Sequence, residues 1–195
     1  MDGILFKVKD VLISPDYFFR GIKREKGLTS SFIYYAVLSL FGVVFSFFSA
    51  TYLVLPLLSQ YTENTLLGAY LGMSITEPAV GSFVFGFFAA VLLSFVFAGL
   101  LHLWCLLFGG KGSYTQSYKL LAYSQTPKLL FSWIPGIGVF AGIYSLVLII
   151  IGTQRLHNIS RTRAIIMYVL PYIFALFILI AVVVLGLLVF KNLLF

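Results

Sequence analysis

The stretch "LLAYSQTPKLLFSWIPG", from Leu120 to Gly136, decides the fold. It is apolar at both ends. Its centre, Tyr123-Ser124-Gln125-Thr126-Pro127-Lys128, carries hydrogen-bonding side chains, a helix breaker and a positive charge. If it crosses a membrane the chain has five crossings; if it does not, the chain has four and the charges of its loops fall out of order.

The bilayer follows from composition. Hydrophobic residues make up 61% of the 195 and charged residues only 10%, and the mean hydropathy is +1.06. A soluble domain carries about 25% charged residues. Five apolar stretches stand out: Ser31 to Leu58, Ser82 to Phe108, Leu120 to Pro135, Ile137 to Gly152 and Ala164 to Phe190. Three exceed the ~20 residues that cross ~30 Å of hydrocarbon as helix. The third and fourth are short, about 23 Å at 1.5 Å per residue. No apolar leader precedes Lys7, which predicts that the first long span, not a cleaved signal peptide, directs insertion.

Loop charges set the topology. Lys7, Lys9, Arg20, Lys23, Arg24 and Lys26 precede the first span, and the loop Ser59 to Gly81 has only Glu63 and Glu77. Lys111 and Lys119 follow the second span, Ile134-Pro135-Gly136 is bare, and Arg155, Arg161 and Arg163 precede the fifth. Basic and bare loops alternate only if Leu120 to Pro135 crosses, as lysine and arginine concentrate on the cytoplasmic side. The expectation is an all-α, polytopic membrane helix bundle with five transmembrane helices. Its N-terminus is cytoplasmic, its C-terminus is outside, and its setting is the cell membrane. The net charge of +7 belongs to those loops and predicts no nucleic-acid partner. A single cysteine, Cys105, excludes an internal disulfide.

Residues 1–30 read as an amphipathic cytoplasmic segment and 31–195 as the transmembrane domain. Ile4, Leu5, Val8, Val11 and Leu12 share a helical face. Ser14-Pro15 reads as an N-cap and first helical residue, opening a second piece with Tyr17, Phe18 and Ile22 against Arg20, Lys23 and Arg24. Such helices lie in the membrane interface and favour anionic headgroups, or they tuck under the bundle. Both readings stay open. The loop Ser59 to Gly81, with Gly68-Ala-Tyr-Leu-Gly72 inside it, reads as a short external helix or a lid.

In the third span, Pro127 lacks a backbone donor, and Ser124 and Thr126 are placed to satisfy the carbonyl it frees. Lys128 lies about nine residues, ~13 Å along a helix, beyond Lys119. A short polar helix is tolerable in the membrane when other helices wall it in, so this span is expected inside the bundle. Lys128 belongs either to a polar cavity or to the outer headgroup region, reached by snorkelling.

In the second span Gly86, Ala90, Ser94 and Ala98 recur every fourth place and end at His102. Gly138 and Gly142 form a second such pair in the fourth span. Small residues let membrane helices approach, and these stripes suit packing within the chain, or assembly with a second copy or another protein. His102, Cys105 and His157 share a level by topology, with Arg155 and Arg161 nearby on the cytoplasmic side. Two imidazoles and a thiolate are a weak zinc candidate; packed, hydrogen-bonded side chains are the plainer reading. The spans hold no carboxylate for a proton pump, and no catalytic constellation is present. The expectation is a non-enzyme without cofactor.

The run "FGGKGSYTQSYKLLAYSQTPKLL…WIPGIG…IYSLVLIIIGTQRLHNISRTRAIIMYVLP" resembles the Yip family, the Ypt/Rab-interacting membrane proteins, in its prokaryotic form. The shared features are the Gly-Gly turn, Tyr-Ser-x-x-Pro, Ile-Pro-Gly, the passage from Gly152 to Ala164 and the early Pro171. The opening "ISPDYFFRGI" is similar to that family's lead-in. The resemblance implies a five-helix membrane domain with a cytoplasmic N-terminus and a role in membrane organisation or trafficking-type scaffolding. Eukaryotic members bind Rab GTPases partly through an Asp-Leu-Tyr-Gly-Pro motif, which this chain lacks, so GTPase binding is not expected. The alternative is a small channel or carrier with its pathway along the third span.

Overall fold

The computed structural model describes residues 3–54, 56–57 and 80–194, with the side chains of 172 and 186–194 excepted. Every element among them is helical. Two short helices, α1 (Ile4–Ile13) and α2 (Pro15–Ile22), form a hairpin hinged at Ser14. Then come α3 (Thr29–Ser49), which runs on into a π-helical turn (Ala50–Val54), and α4 (Val80–Leu107). After a glycine-rich turn the chain continues as α5 (Tyr114–Ser124), α6 (Thr126–Phe131), α7 (Ile137–His157) and α8 (Arg161–Leu194). Among the described residues four helices are long and apolar enough to cross a membrane: Thr29–Val54, Val80–Leu107, Ile137–His157 and Arg161–Leu185. The expected helix or lid over Ser59 to Gly81 lies almost wholly outside the described residues.

The quoted stretch differs from the single short helix that its sequence suggests. The helix begins earlier, at Tyr114, breaks at Gln125 and ends at Phe131, before the turn through Ile134-Pro135-Gly136. Pro127 causes the break. It has no N–H for the carbonyl four residues back, Tyr123 O, and Thr126 Oγ1 donates to that carbonyl instead, at 2.7 Å. Gly136, at φ 83°, supplies the left-handed residue that turns the chain into α7.

The α5–α6 pair sits at the centre of the bundle. It runs antiparallel to α7 along nearly the whole of that helix: Ser117 meets His157, Leu120 meets Gly152, Lys128 meets Gly142 and Ser132 meets Gly138. It runs parallel to α3, pairing Thr126 with Tyr34, Leu129 with Gly42 and Trp133 with Phe45. Seven of the eleven residues of α5 are buried, as a helix walled by neighbours should be. By contrast, α8 packs through Ala164, Met167 and Tyr168 near its start and exposes Ile173 to Ile180 and Val182 to Leu185. That exposed apolar surface suits lipid.

The hairpin docks against α5, α6 and α7. Val11, Phe18, Phe19 and Ile22 are buried, and Ile4 and Val8 pack against the same core. Two residues assigned to the inward faces point outward instead: Leu5 is 81% exposed and Tyr17 78%, with Phe6 and Ile13 beside them. In α2 the neighbouring Phe19 takes the inward place expected for Tyr17. It packs on Gly152, where a side chain's first carbon would lie 2.9 Å from the Phe19 ring.

Candidate functional site

A set of polar residues gathers where the hairpin meets α5. Lys119 is the centre. It is only 1% exposed, and its ammonium donates to Ile22 O at 3.2 Å and to Glu25 O. Ile22 is the last residue of α2 and Glu25 lies just beyond the turn that follows it, where the helix dipole favours a cation. Lys119 therefore caps α2 across about a hundred residues of sequence. Read from the sequence, it is only a marker of loop charge. Nothing local distinguishes it, because its partners are carbonyls brought there by tertiary folding.

Beside it, Lys7 Nζ donates to Glu25 Oε1 at 3.0 Å, Ser30 Oγ at 2.6 Å and Tyr123 OH at 3.4 Å. Partial burial lowers the Lys7 pKa. The hydrogen bond and charge of Glu25, together with Tyr123, outweigh that and leave it above the usual lysine value. On the outer rim of the hairpin Asp16 takes Arg155 at 2.5 Å and Arg20 at 2.8 Å, while Lys23 donates to Asn158 at 2.7 Å. These pairs are well exposed and individually weak.

The six residues of the quoted centre turn to different neighbours. Tyr123 is fully buried against Phe18 and Tyr34. Ser124 Oγ donates to Leu121 O at 3.2 Å. Because Thr126 spends its only proton on Tyr123 O, Tyr34 must be the donor in the 2.8 Å contact with Thr126. Pro127 is buried, and Gln125 turns the other way into an apolar groove. Lys128 lies half-buried in the last turn of α6 with its stem against Gly142. It has no polar partner among the described residues.

A second polar cluster ties the end of α4, the start of α5 and the end of α7. Ser117 Oγ lies 3.0 Å from His102 Nδ1, 3.1 Å from His157 Nε2 and 3.5 Å from Ser113 O. One hydroxyl proton cannot serve three acceptors, so at least one imidazole N–H points at Ser117. His157 is fully buried, packed so closely on Gly112 that no larger residue fits there without displacing the ring. Cys105 leaves the two histidines. Its Sγ faces Tyr168 OH at 3.9 Å, which in turn meets Thr153 at 2.8 Å. The trio His102, Cys105 and His157 is thus split. Among the described residues no three His, Cys, Asp or Glu side chains are placed to hold a metal. Arg155 serves the hairpin, and Arg161 stands exposed at the start of α8.

The small-residue stripe holds only in part. Ser94 and Ala98 are buried, with Ser94 Oγ 3.1 Å from Tyr118 OH. Ala90 is half-buried, but Gly86 is exposed with nothing near it, because the stripe drifts off the α4–α5 contact. Gly138 and Gly142 do face α6. Closer approaches occur at two helical glycines outside either stripe: a Cβ on Gly42 would lie 2.8 Å from Leu129 O, and one on Gly152 2.5 Å from Leu120 Cδ1.

A family model for the Yip1 domain matches residues 9–184, nearly the whole chain, so the chain belongs to the Yip1 family. Comparison with curated proteins and with solved structures gives no match.

Proposed function

Taking a Yip1-family protein with apolar membrane helices as the premise, we propose that this chain is a non-enzymatic scaffold of the cell membrane. It crosses five times with its N-terminus in the cytoplasm, and organises membrane or assembles with membrane partners. The observation that carries the five crossings is the antiparallel pairing of α5–α6 with α7, from Ser117–His157 at one end to Ser132–Gly138 at the other. Whatever depth α7 crosses, α5–α6 crosses with it. Eighteen residues from Tyr114 to Phe131 give ~27 Å of helix, close to the ~30 Å of hydrocarbon.

The scaffold reading draws support from how the inner polar groups are used. Lys119, Lys7, Ser117 and Thr126 each join two or more segments of the fold. A catalytic site would leave some such groups aimed at an open cleft. One observation favours a second reading. The break between α5 and α6 makes a discontinuous central helix, a device that transporters use to build a site at mid-membrane.

Two measurements test these readings. Single cysteines at Ile137 and Arg161 in intact cells should label from outside and from inside, respectively. Outside labelling at Arg161 ends the five-span proposal. Purified protein in liposomes should pass neither ions nor anions above protein-free controls; flux abolished by Lys128→Met replaces the scaffold with the carrier.

A further inference from the structure

An open-sided groove of about 800 Å³ runs down the bundle beside α4. Phe97 to Leu107 form one wall, Leu121 and Gln125 the floor, and Tyr35 and Ile149 complete it. Ten residues of helix separate Phe97 from Leu107, so the groove is ~15 Å long, half of the ~30 Å hydrocarbon. It therefore occupies one leaflet. Trp104 lines it near its surface end, where the membrane-interface belt favours tryptophan.

The charge at that end is positive. Four residues beyond Leu107 comes exposed Lys111, and Arg163 Nη1 reaches the same turn, 3.9 Å from where a Cβ on Gly109 would stand. Among the described residues Lys111 and Arg163 have no ion pair. An apolar slot one leaflet long, with two cations at its surface end that make no ion pair among the described residues, has the shape and charge of a phospholipid with an anionic headgroup. The volume is within the usual range for sites that enclose a small organic ligand.

We propose that this groove is a lipid site. One acyl chain of an anionic phospholipid lies along α4 between Phe97 and Leu107, and its phosphate sits against Lys111 and Arg163. The assignment needs α4 to cross the membrane, but depends neither on the direction of the crossings nor on the scaffold role. Its failure therefore leaves those readings untouched.

Trp104 reports occupancy. The chain has two tryptophans, so Trp133→Phe leaves Trp104 as the only one. That variant is reconstituted in phosphatidylcholine vesicles with a rising fraction of phospholipid brominated in its acyl chains, as either phosphatidylglycerol or phosphatidylcholine. Bromine quenches tryptophan on contact. Two cationic side chains should make the brominated phosphatidylglycerol reach half-quenching at a fraction about 30-fold lower than the phosphatidylcholine. The double variant Lys111→Gln, Arg163→Gln should bring the two curves together. Soluble glycerol phosphate, a headgroup without a chain, should not relieve the quenching. Equal curves in the parent, a preference that survives loss of both cations, or relief by glycerol phosphate would each overturn the site. If Trp133→Phe misfolds, the unaltered chain gives the same comparison, with Trp133 adding a component common to both lipids.

Discussion

Replacing Lys119 by methionine tests whether one buried ammonium holds the N-terminal hairpin in place. Methionine keeps the length of the stem and removes the charge. Glu25 O then loses its donor, while Ile22 O keeps the Glu25 N–H at 3.1 Å. Removing one partner from a buried hydrogen bond costs about 1–3 kcal/mol, and bonds from charged groups lie at the upper end. The variant also escapes the cost of burying an ammonium, which is several kcal/mol in an apolar site. The orphaned Glu25 carbonyl weakens docking by about 1–3 kcal/mol, and the relief moves the outcome toward the lower end of that range. At 1.4 kcal/mol per factor of ten, the open hairpin becomes about 5–150-fold more populated.

The assay is limited trypsin digestion of membranes with the hairpin accessible, since Arg20, Lys23, Arg24 and Lys26 lie in or just after α2. Where reclosing outpaces cleavage, the rate follows the open population, and it should rise by that factor while the membrane core stays intact. Lys9→Met, on an exposed position of α1, serves as the control for loss of charge. Asp16→Asn, which breaks exposed pairs, should change the rate far less, because such pairs contribute about 0–1 kcal/mol. Cleavage of Lys119→Met at the parent rate would refute the reasoning.

Three further outcomes follow from the packing. Gly152→Ala should lower stability by about 1–3 kcal/mol, as overpacking does, because its methyl meets Leu120 and the Phe19 ring; Gly86→Ala, in open space, should be near neutral in the same detergent melts. Thr126→Val should cost about 1–3 kcal/mol by leaving Tyr123 O without a donor, and more than Tyr34→Phe, which removes one bond and leaves Thr126 on its carbonyl; the reverse order in thermal unfolding would contradict this account. Lys7 carries a pKa raised above 10.5, so its stabilising contribution is fully present below that value and fades as pH rises through the higher folded value. Melting between about pH 9 and 12 should show that loss in the parent and not in Lys7→Met.

The parts legible in the sequence were those fixed by one-dimensional properties. Length and apolarity mark the four long helices, because the bilayer imposes a minimum run of residues. Ser14-Pro15 marks the start of α2, since proline suits a first helical turn. Even the repair of the proline break could be read, because Thr126 lies one residue before Pro127 and its hydroxyl can reach only nearby carbonyls. Faces were legible less well. A residue such as Leu5 is apolar whether it meets protein or lipid, so in a membrane chain apolarity does not separate inside from outside as it does in water. Tyr17 and Phe19 exchange places for the same reason.

Polar groups were the hardest to place, and they matter most for the site. Lys128 draws attention because it lies between apolar segments, yet Lys119 carries the longer-range structural load. A cation is stabilised by acceptors, and Lys119 finds backbone carbonyls that any sequence would supply at the end of a helix. No partner residue type announces such a contact. The same holds for Ser117, which joins two histidines 15 and 40 residues away, and for Gly152, whose neighbours come from α2 and α5. Each of these three residues lies where α5 or α7 meets another segment. This end of the bundle is therefore specified by contacts between distant pieces of chain, and the docked hairpin is part of that core: residues 1–30 supply Val11, Phe19 and the carbonyls that accept from Lys119. The hairpin and α5 thus share buried contacts across the boundary drawn in the sequence at residue 30.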